Sequence, residues 1–390
     1  MDLNEILAHL SVPRPGQSQA MEETAKYIQA LLNSWGIQFA VQEFTLRPYM
    51  QLLVGCTILL LAILLFILVL KKKSIAALIV ALAIPFLLIA EFEFFIPLVS
   101  GLIQKVGQDI VVTFNVPNPA RELVFAAHYD SKTDFFDHIQ RARVYMFIPV
   151  AVGLAVILAV FTFFSRKYAA LKKKGVTVAV LSLAGIVVVY WGLVSLAFGG
   201  YIFLPPDRQS YGSVDDGASV AALLTLSRDI HDGKVDLGNS RVTILLTCGE
   251  ETNLQGADPY VQGRFHKGEK TVPPVSLVNL ELVGQNGPMI YWKKDGEFLI
   301  YYNADSNLIT RVGEAWKTES GMALEPGHLL ITDDAQRFMT AGIPSITIGN
   351  SGEPGLGEAG FHSTADNPGR VNIDNLKLMI RVLERYIEGY

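Results

Sequence analysis

The chain is short of charge. Asp, Glu, Lys and Arg make up only 18% of its 390 residues, against about a quarter in an ordinary soluble domain. With a formal net charge of −5 and a pI near 5.8, that deficit excludes a disordered chain and argues for no nucleic acid among its partners. Cysteine is scarcer still. Cys56 lies in an apolar run and Cys248 in an expected core strand, so a disulfide-stapled scaffold is excluded and the redox compartment stays open. There is no Ser/Gly-rich linker and no low-complexity tract. A signal peptide is not expected either, because residues 1–48 are mixed polar sequence and the first apolar run starts too late.

What the chain has in excess is apolarity: 51% hydrophobic residues and a mean hydropathy of +0.34. The excess is concentrated in Leu52–Leu70, Ser74–Ala90, Val144–Phe164 and Val176–Leu204, runs of 19, 17, 21 and 29 residues. A helix needs roughly 20 apolar residues to cross a hydrocarbon core. Core helices of a soluble protein seldom run so far without a polar face. The runs therefore predict four membrane spans in two hairpins, with the lipid bilayer as a partner. Lys71, Lys72 and Lys73 fill the first hairpin loop, and Arg166, Lys167, Lys172, Lys173 and Lys174 the second. Short basic loops stay cytoplasmic, although Arg47, Lys105, Arg141, Arg143 and Arg208 flank the outer ends. The expected product is an integral membrane protein whose remaining domain is extracytoplasmic.

Outside the hairpins, 49–103 and 144–204, the pieces 1–48, 104–143 and 205–390 total 274 residues, the size of one domain with a full core. Helical spacing is present over 18–35, over Ser219–Ile230 and over 373–389, where Asn372 is the expected N-cap. Phe39–Leu46, Asp109–Phe114, Leu123–Ala127, Val242–Thr247, Val275–Leu280 and Ile343–Ile348 read as strands. Alternating strands and helices argue for an α/β sheet covered on both faces. Sites in such sheets form beyond the carboxyl ends of the strands.

Acidic and histidine residues gather at those ends. Leu123–Ala127 runs into H-Y-D-S, in which His128 and Asp130 point to one side of the chain. Asp215-Asp216-Gly217 opens a helix, Glu250-Glu251 follows Val242–Thr247, Glu281 follows Val275–Leu280, and His362 closes a Gly-rich loop. Each has an ordinary reading alone: a surface pair, carboxylates on a helix dipole, surface glutamates, a structural imidazole. Together they form a donor set of nitrogen and carboxylate oxygen that suits zinc. Three acids and two histidines exceed one tetrahedral site and suit two metals about 3.5–4 Å apart that share a carboxylate. Of the two adjacent glutamates, one could bind metal while the other accepts a proton from the attacking water.

In this order the motifs H-Y-D-S, V-D-D-G-A-S, G-E-E-T-N-L-Q-G-A, N-L-E and F-H-S-T-A-D-N-P resemble the di-zinc exopeptidases of the MH clan. That clan includes aminopeptidase Y, bacterial leucyl aminopeptidases, glutamate carboxypeptidase II and the glutaminyl cyclases. T-D-D-A-Q-R-F-M-T-A-G-I-P resembles a further stretch of the family, and the resemblance covers essentially all of the 274 residues. It implies a mixed central sheet with helices on both faces, interrupted here by the two transmembrane hairpins. It also implies Zn2+, two per chain, with a peptide as substrate. His128, Asp216, Glu251, Glu281 and His362 would be the metal ligands, with Asp216 bridging and followed by a cis peptide to Gly217. Glu250 would be the general base, Asp130 would orient His128, and Asp334 would stand behind the ligands. Glu281 departs from the family, where Asp is common. His128 and Asp216 are also 88 residues apart, a separation that the second hairpin explains.

The leading reading is a membrane-bound aminopeptidase acting through a metal-activated water. The alternatives are a catalytically inactive receptor or scaffold, and a glutaminyl cyclase-like acyltransferase. A transporter would need charges inside the spans, and Glu91 and Glu93 lie only at an interface. Glu353 and Glu358 lie near His362, whereas Arg337 and Arg370 are the only nearby arginines. That balance favours binding of a peptide's free ammonium group. Oligomeric state is not legible. Sidedness is directly testable: in intact cells, an impermeant thiol reagent should label Ser320→Cys and spare Lys172→Cys. The opposite pattern would reverse the topology.

Overall fold

The computed structural model describes residues 2–168, 174–265, 268, 270–327, 331–352 and 360–389. Lys172, Lys173, Glu353 and Glu358, to which the sequence assigned loop roles, lie outside them. Along the chain run α1 (Leu3–Leu10), α2 (Gln19–Ser34), β1 (Phe39–Leu46), α3 (Met50–Leu70), α4 (Ser74–Leu88), β2 (Lys105–Phe114) and β3 (Arg121–His128). Next come α5 (His138–Met146), α6 (Ile148–Lys167), α7 (Lys174–Gly199), α8 (Ala218–His231), β4 (Ser240–Thr247), α9 (Ala257–Arg264) and β5 (Val275–Leu280). The chain continues through β6 (Met289–Tyr291), β7 (Lys294–Gly296), β8 (Tyr301–Asn303), α10 (Ser306–Ser320), β9 (Glu325–Pro326), α11 (Ala335–Thr340), β10 (Ser345–Asn350) and α12 (Ile373–Glu388). These elements divide into two compact units: residues 1–48, 104–133 and 206–390, and residues 49–103 and 134–205.

The first unit is built on an eight-stranded mixed sheet in the order β1-β2-β4-β3-β5-β10-β6-β9. Its centre is parallel: β3 runs with β4 and β5, and β10 runs with β5. β3 is buried from Glu122 onward, as a strand covered on both faces must be. One face packs Phe125, Ile244 and Val278 against Leu223 of α8 and Leu383 of α12. The other packs Val124, Leu245 and Leu277 against Tyr260 of α9 and Phe338 of α11. α12 lays Leu376, Met379, Leu383 and Ile387 into the core, and Asn372 caps it through the amides of Asp374 and Asn375. The last large strand starts at Ser345, later than the expected Ile343. Gly342 turns with a positive φ and Pro344 has no amide to give a ladder.

Among the described residues of the second unit, four helical stretches are long and apolar enough to cross a membrane: Met50–Leu70, Ser74–Glu93, Ile139–Ser165 and Lys174–Phe203. Val54, Ile58, Ala62 and Leu65 form the buried stripe of α3. Leu60, Ile79, Ile157 and Val189 face outward and are more than half exposed. Such outward apolarity on every helix suits hydrocarbon rather than water. The unit's second segment begins at Asp134, ten residues before the apolar run's first residue, 144; there α5 leads into α6, whose first turn carries Pro149. Buried Glu91 is not left unpaired: its carboxylate accepts the Ser100 amide at 3.1 Å and the Ser100 hydroxyl at 2.6 Å.

Within this unit α3 and α7 approach closely at Gly55. A Cβ there would stand 3.1 Å from the Ser195 carbonyl and 3.2 Å from Phe198 Cβ. Overpacking of this kind costs about 1–3 kcal/mol. Gly55→Leu should therefore lower the melting temperature of the detergent-solubilised chain; an unchanged melt would contradict this packing.

Candidate metal centre

The parallel register brings the chemistry together. His128 ends β3 level with Thr247 of β4, and Leu280 of β5 pairs with Ile348 of β10. Glu250 and Glu281 therefore leave the two strands that flank β3, at the edge where β3 ends in His128. Gly249 allows the turn after β4: its φ is +79°, and a Cβ there would meet Leu46 Cδ1 at 2.6 Å.

At this edge Asp215 is the central carboxylate. One oxygen lies 3.3 Å from His128 Nε2 and the other 3.0 Å from His362 Nε2. Glu251 approaches His362 Nε2 to 3.0 Å, and Glu281 approaches His128 Nε2 to 3.7 Å. Glu250 stands 3.9 Å from the same nitrogen. Asp130 faces the far side of the His128 ring, 3.5 Å from Nδ1, and accepts the Glu251 amide at 3.3 Å. The structure thus gathers His128, Asp130, Glu250, Glu251, Glu281 and His362 at one point. Among the described residues, two groups have donor atoms mutually within 4.8 Å and could each hold a metal ion: His128, Asp215 and Glu251, and His128, Asp216 and Glu281.

Two expectations need correction. The cis peptide joins Asp215 to Asp216, not Asp216 to Gly217. The carboxylate between the two imidazoles is that of Asp215. Asp216 instead takes the Ser219 hydroxyl and lies 3.4 Å from the His128 amide. The helix of α8 begins at Ala218, so Asp216 points to its first turn while Asp215 faces the imidazoles.

Charge explains what the cluster needs. Asp130, Asp215, Asp216, Glu251 and Glu281 are all buried around the two imidazoles. His128 Nε2 and Glu281 Oε2 are buried atoms with no hydrogen-bond partner among the described residues. Buried ionised carboxylates are tolerated only with compensating cations. Burial pushes the Glu281 carboxyl up to about 8, against the opposing pull of His128. Burial likewise raises Asp216, where Glu281 adds repulsion. Burial alone would lower the His128 imidazole, but Glu250 and the surrounding carboxylates raise it well above its usual value. Asp215 goes the other way: the His128 and His362 imidazoles, 3.3 and 3.0 Å away, outweigh burial and hold it well below the carboxylate range. The donor set therefore fits divalent cations such as zinc.

Behind the site stand residues the sequence reading did not single out. Asp109 takes the Cys248 amide at 3.2 Å. Asp333 takes the Ala335 amide at 2.8 Å and the Thr347 hydroxyl at 3.1 Å. Lys132, beside H-Y-D-S, comes within 3.9 Å of Glu251. Asp334, which the resemblance placed behind the ligands, takes the Thr247 hydroxyl, and burial raises it to about 7. Asp109 within β2 and the Asp333-Asp334 pair at the start of α11 were a usable signal for a polar floor.

The profile of peptidase family M28 matches residues 197–387. Solved structures share the fold. A zinc-dependent exopeptidase from Parabacteroides distasonis superposes with a TM-score of 0.55 at 15% identity, covering 100% of this chain and 98% of its own. A glutaminyl cyclase from Porphyromonas gingivalis gives 0.56 at 13%, covering 99% and 96%. A leucine aminopeptidase precursor from Bacteroides thetaiotaomicron gives 0.54 at 13%, covering 100% and 97%. No curated protein matches the chain in sequence.

Metal binding should be coupled to proton release. Burial pushes the Glu281 carboxyl up to about 8, which favours its protonated form at pH 7, whereas a carboxylate that binds metal must be ionised. Zinc binding at pH 7 should thus liberate protons, and affinity should rise with pH through about 8. Calorimetric titration in buffers of different ionisation enthalpy checks this; identical apparent enthalpies would contradict it.

Proposed function

We propose, from the premise that the chain carries a peptidase family M28 domain, that it is a membrane-bound zinc exopeptidase that removes N-terminal residues from peptides. One observation carries the reading. The Asp215 carboxylate lies between His128 and His362, with Glu251 and Glu281 beyond them and Glu250 alongside. These donors suffice for two zinc ions with Asp215 in common, His362 and Glu251 on one side, and His128 and Glu281 on the other. Bound zinc would supply Lewis acidity, polarising a peptide carbonyl and making water a nucleophile near neutral pH.

The remaining roles belong to the chain. Asp130, facing His128 Nδ1, fixes the ring so that Nε2 points into the centre. Glu250 takes the proton of the attacking water and returns it to the leaving amine. Burial pushes Glu250 well above the usual carboxylate range, with His128 pulling it back, and a base with a raised pKa holds the proton long enough to deliver it. The surplus of carboxylates favours a substrate's ammonium end. Arg337 is occupied by Asp258, and Arg370 lies over the Phe361 ring at 5.2 Å. The four apolar helices anchor the enzyme by crossing the bilayer, with the peptidase unit outside the cytoplasm.

The glutaminyl cyclase reading shares the fold, and one substrate separates the two. A peptide beginning with glutamine should yield free glutamine. Release of ammonia with a pyroglutamyl product would establish the cyclase. N-acetylation should abolish cleavage, while C-terminal amidation should not; the reverse would indicate a carboxypeptidase. Glu250→Gln should keep zinc and lose about 10²–10⁴-fold in turnover. A variant retaining half its activity would remove Glu250 from the role of base.

A further inference from the structure

Asp215 is delivered to the centre by the segment Tyr211–Asp215, and that segment is gripped from two sides. Its carbonyls meet a cation. Arg14, fully buried, donates from Nη1 to the Tyr211 carbonyl at 2.8 Å and from Nη2 to the Gly212 carbonyl at 2.8 Å. Its Nε donates to the Tyr129 carbonyl at 2.6 Å, between His128 and Asp130. Its backbone exchanges hydrogen bonds with Ser131 at 3.0 and 3.2 Å. The segment's amides meet an anion. Asp366, also fully buried, accepts the Val214 amide at 2.7 Å and the Asp215 amide at 3.3 Å. The Tyr211 amide donates to the Asp366 carbonyl at 3.1 Å.

Arg14 makes no ion pair among the described residues; its donors go to backbone carbonyls. The fit is close. A Cβ at Gly212, whose φ is +58°, would stand 2.8 Å from Arg14 Nη1 and 2.5 Å from Ser131 Cβ. A guanidinium presents five donors in a planar fork, which an ammonium cannot reproduce. Burial disfavours the Arg14 charge, and Asp366, Asp130, Asp215 and Asp216 favour it. Arg14 is thus held by the field of the centre as well as by its hydrogen bonds.

We infer that Arg14 and Asp366 are positioning residues of the metal centre. They form a charged clamp that sets Asp215 and the His128–Asp130 stretch in place before metal arrives. The inference rests on the zinc reading above. Neither residue touches substrate or metal; each acts through the segment it holds.

The test uses the full chain in detergent, stripped of metal with a chelator. Zinc is titrated against a fluorescent competitor, and the melting temperature of the metal-free protein is measured alongside. Arg14→Lys and Asp366→Asn should each weaken zinc binding about 10- to 100-fold, the usual effect of losing a residue that orients a ligand. Because both act on one segment, the double variant should lose about as much as the worse single one. Ile28→Val, in the core of α2, should lower the melting temperature without changing zinc affinity. The clamp is refuted if folded Asp366→Asn binds zinc within twofold of the parent, whether or not Arg14→Lys folds. It is equally refuted if Ile28→Val loses as much affinity. A parent chain that binds no zinc overturns the underlying metal reading instead.

Discussion

Mutual repulsion among buried carboxylates governs this molecule. Asp130, Asp215, Asp216, Glu251 and Glu281 are packed out of solvent within reach of two imidazoles. No such assembly is stable as a set of free anions. Protons partly relieve it, which is why Glu281 and Asp216 hold theirs so firmly. Metal cations would relieve it better, and the donors converge in groups that could hold them.

The scaffold follows from that demand. Parallel strands β4, β3 and β5 end level with one another, so residues far apart in sequence leave the sheet at one edge. Rigid strands carry His128, and short turns at their ends carry Glu250, Glu251 and Glu281. The loop donors, Asp215 and His362, have no strand beneath them. Asp215 depends on Arg14 from the chain's beginning and Asp366 from near its end. The hairpins are inserted between β1 and β2 and between β3 and α8. Neither insertion interrupts the strand ends at which the donors stand.

Much of this was legible in the residues because periodicity and order carry it. Buried strands such as Val275–Leu280 declare themselves by unbroken apolarity, and α12 by its stripe and Asn372 cap. α10 had the same signals, with Asp305 capping and Leu308, Val312, Ala315 and Trp316 on one face, yet was not singled out. The choice between Asp215 and Asp216 was not legible. Both precede one helix, and only the backbone path into α8 decides which carboxylate faces the imidazoles. Arg14 was invisible for a related reason. An arginine between two prolines reads as a surface turn, and its burial depends on carbonyls supplied by residues 129, 211 and 212. Long-range convergence of backbone groups leaves no local pattern.

Whether the buried carboxylates hold zinc can be seen in an anomalous-difference map collected at the zinc edge from crystals grown with zinc. Two peaks should stand on either side of the Asp215 carboxylate, one beside His128 and Glu281 and the other beside His362 and Glu251. A map with no zinc among these residues, or with zinc held only elsewhere in the chain, would contradict this assignment.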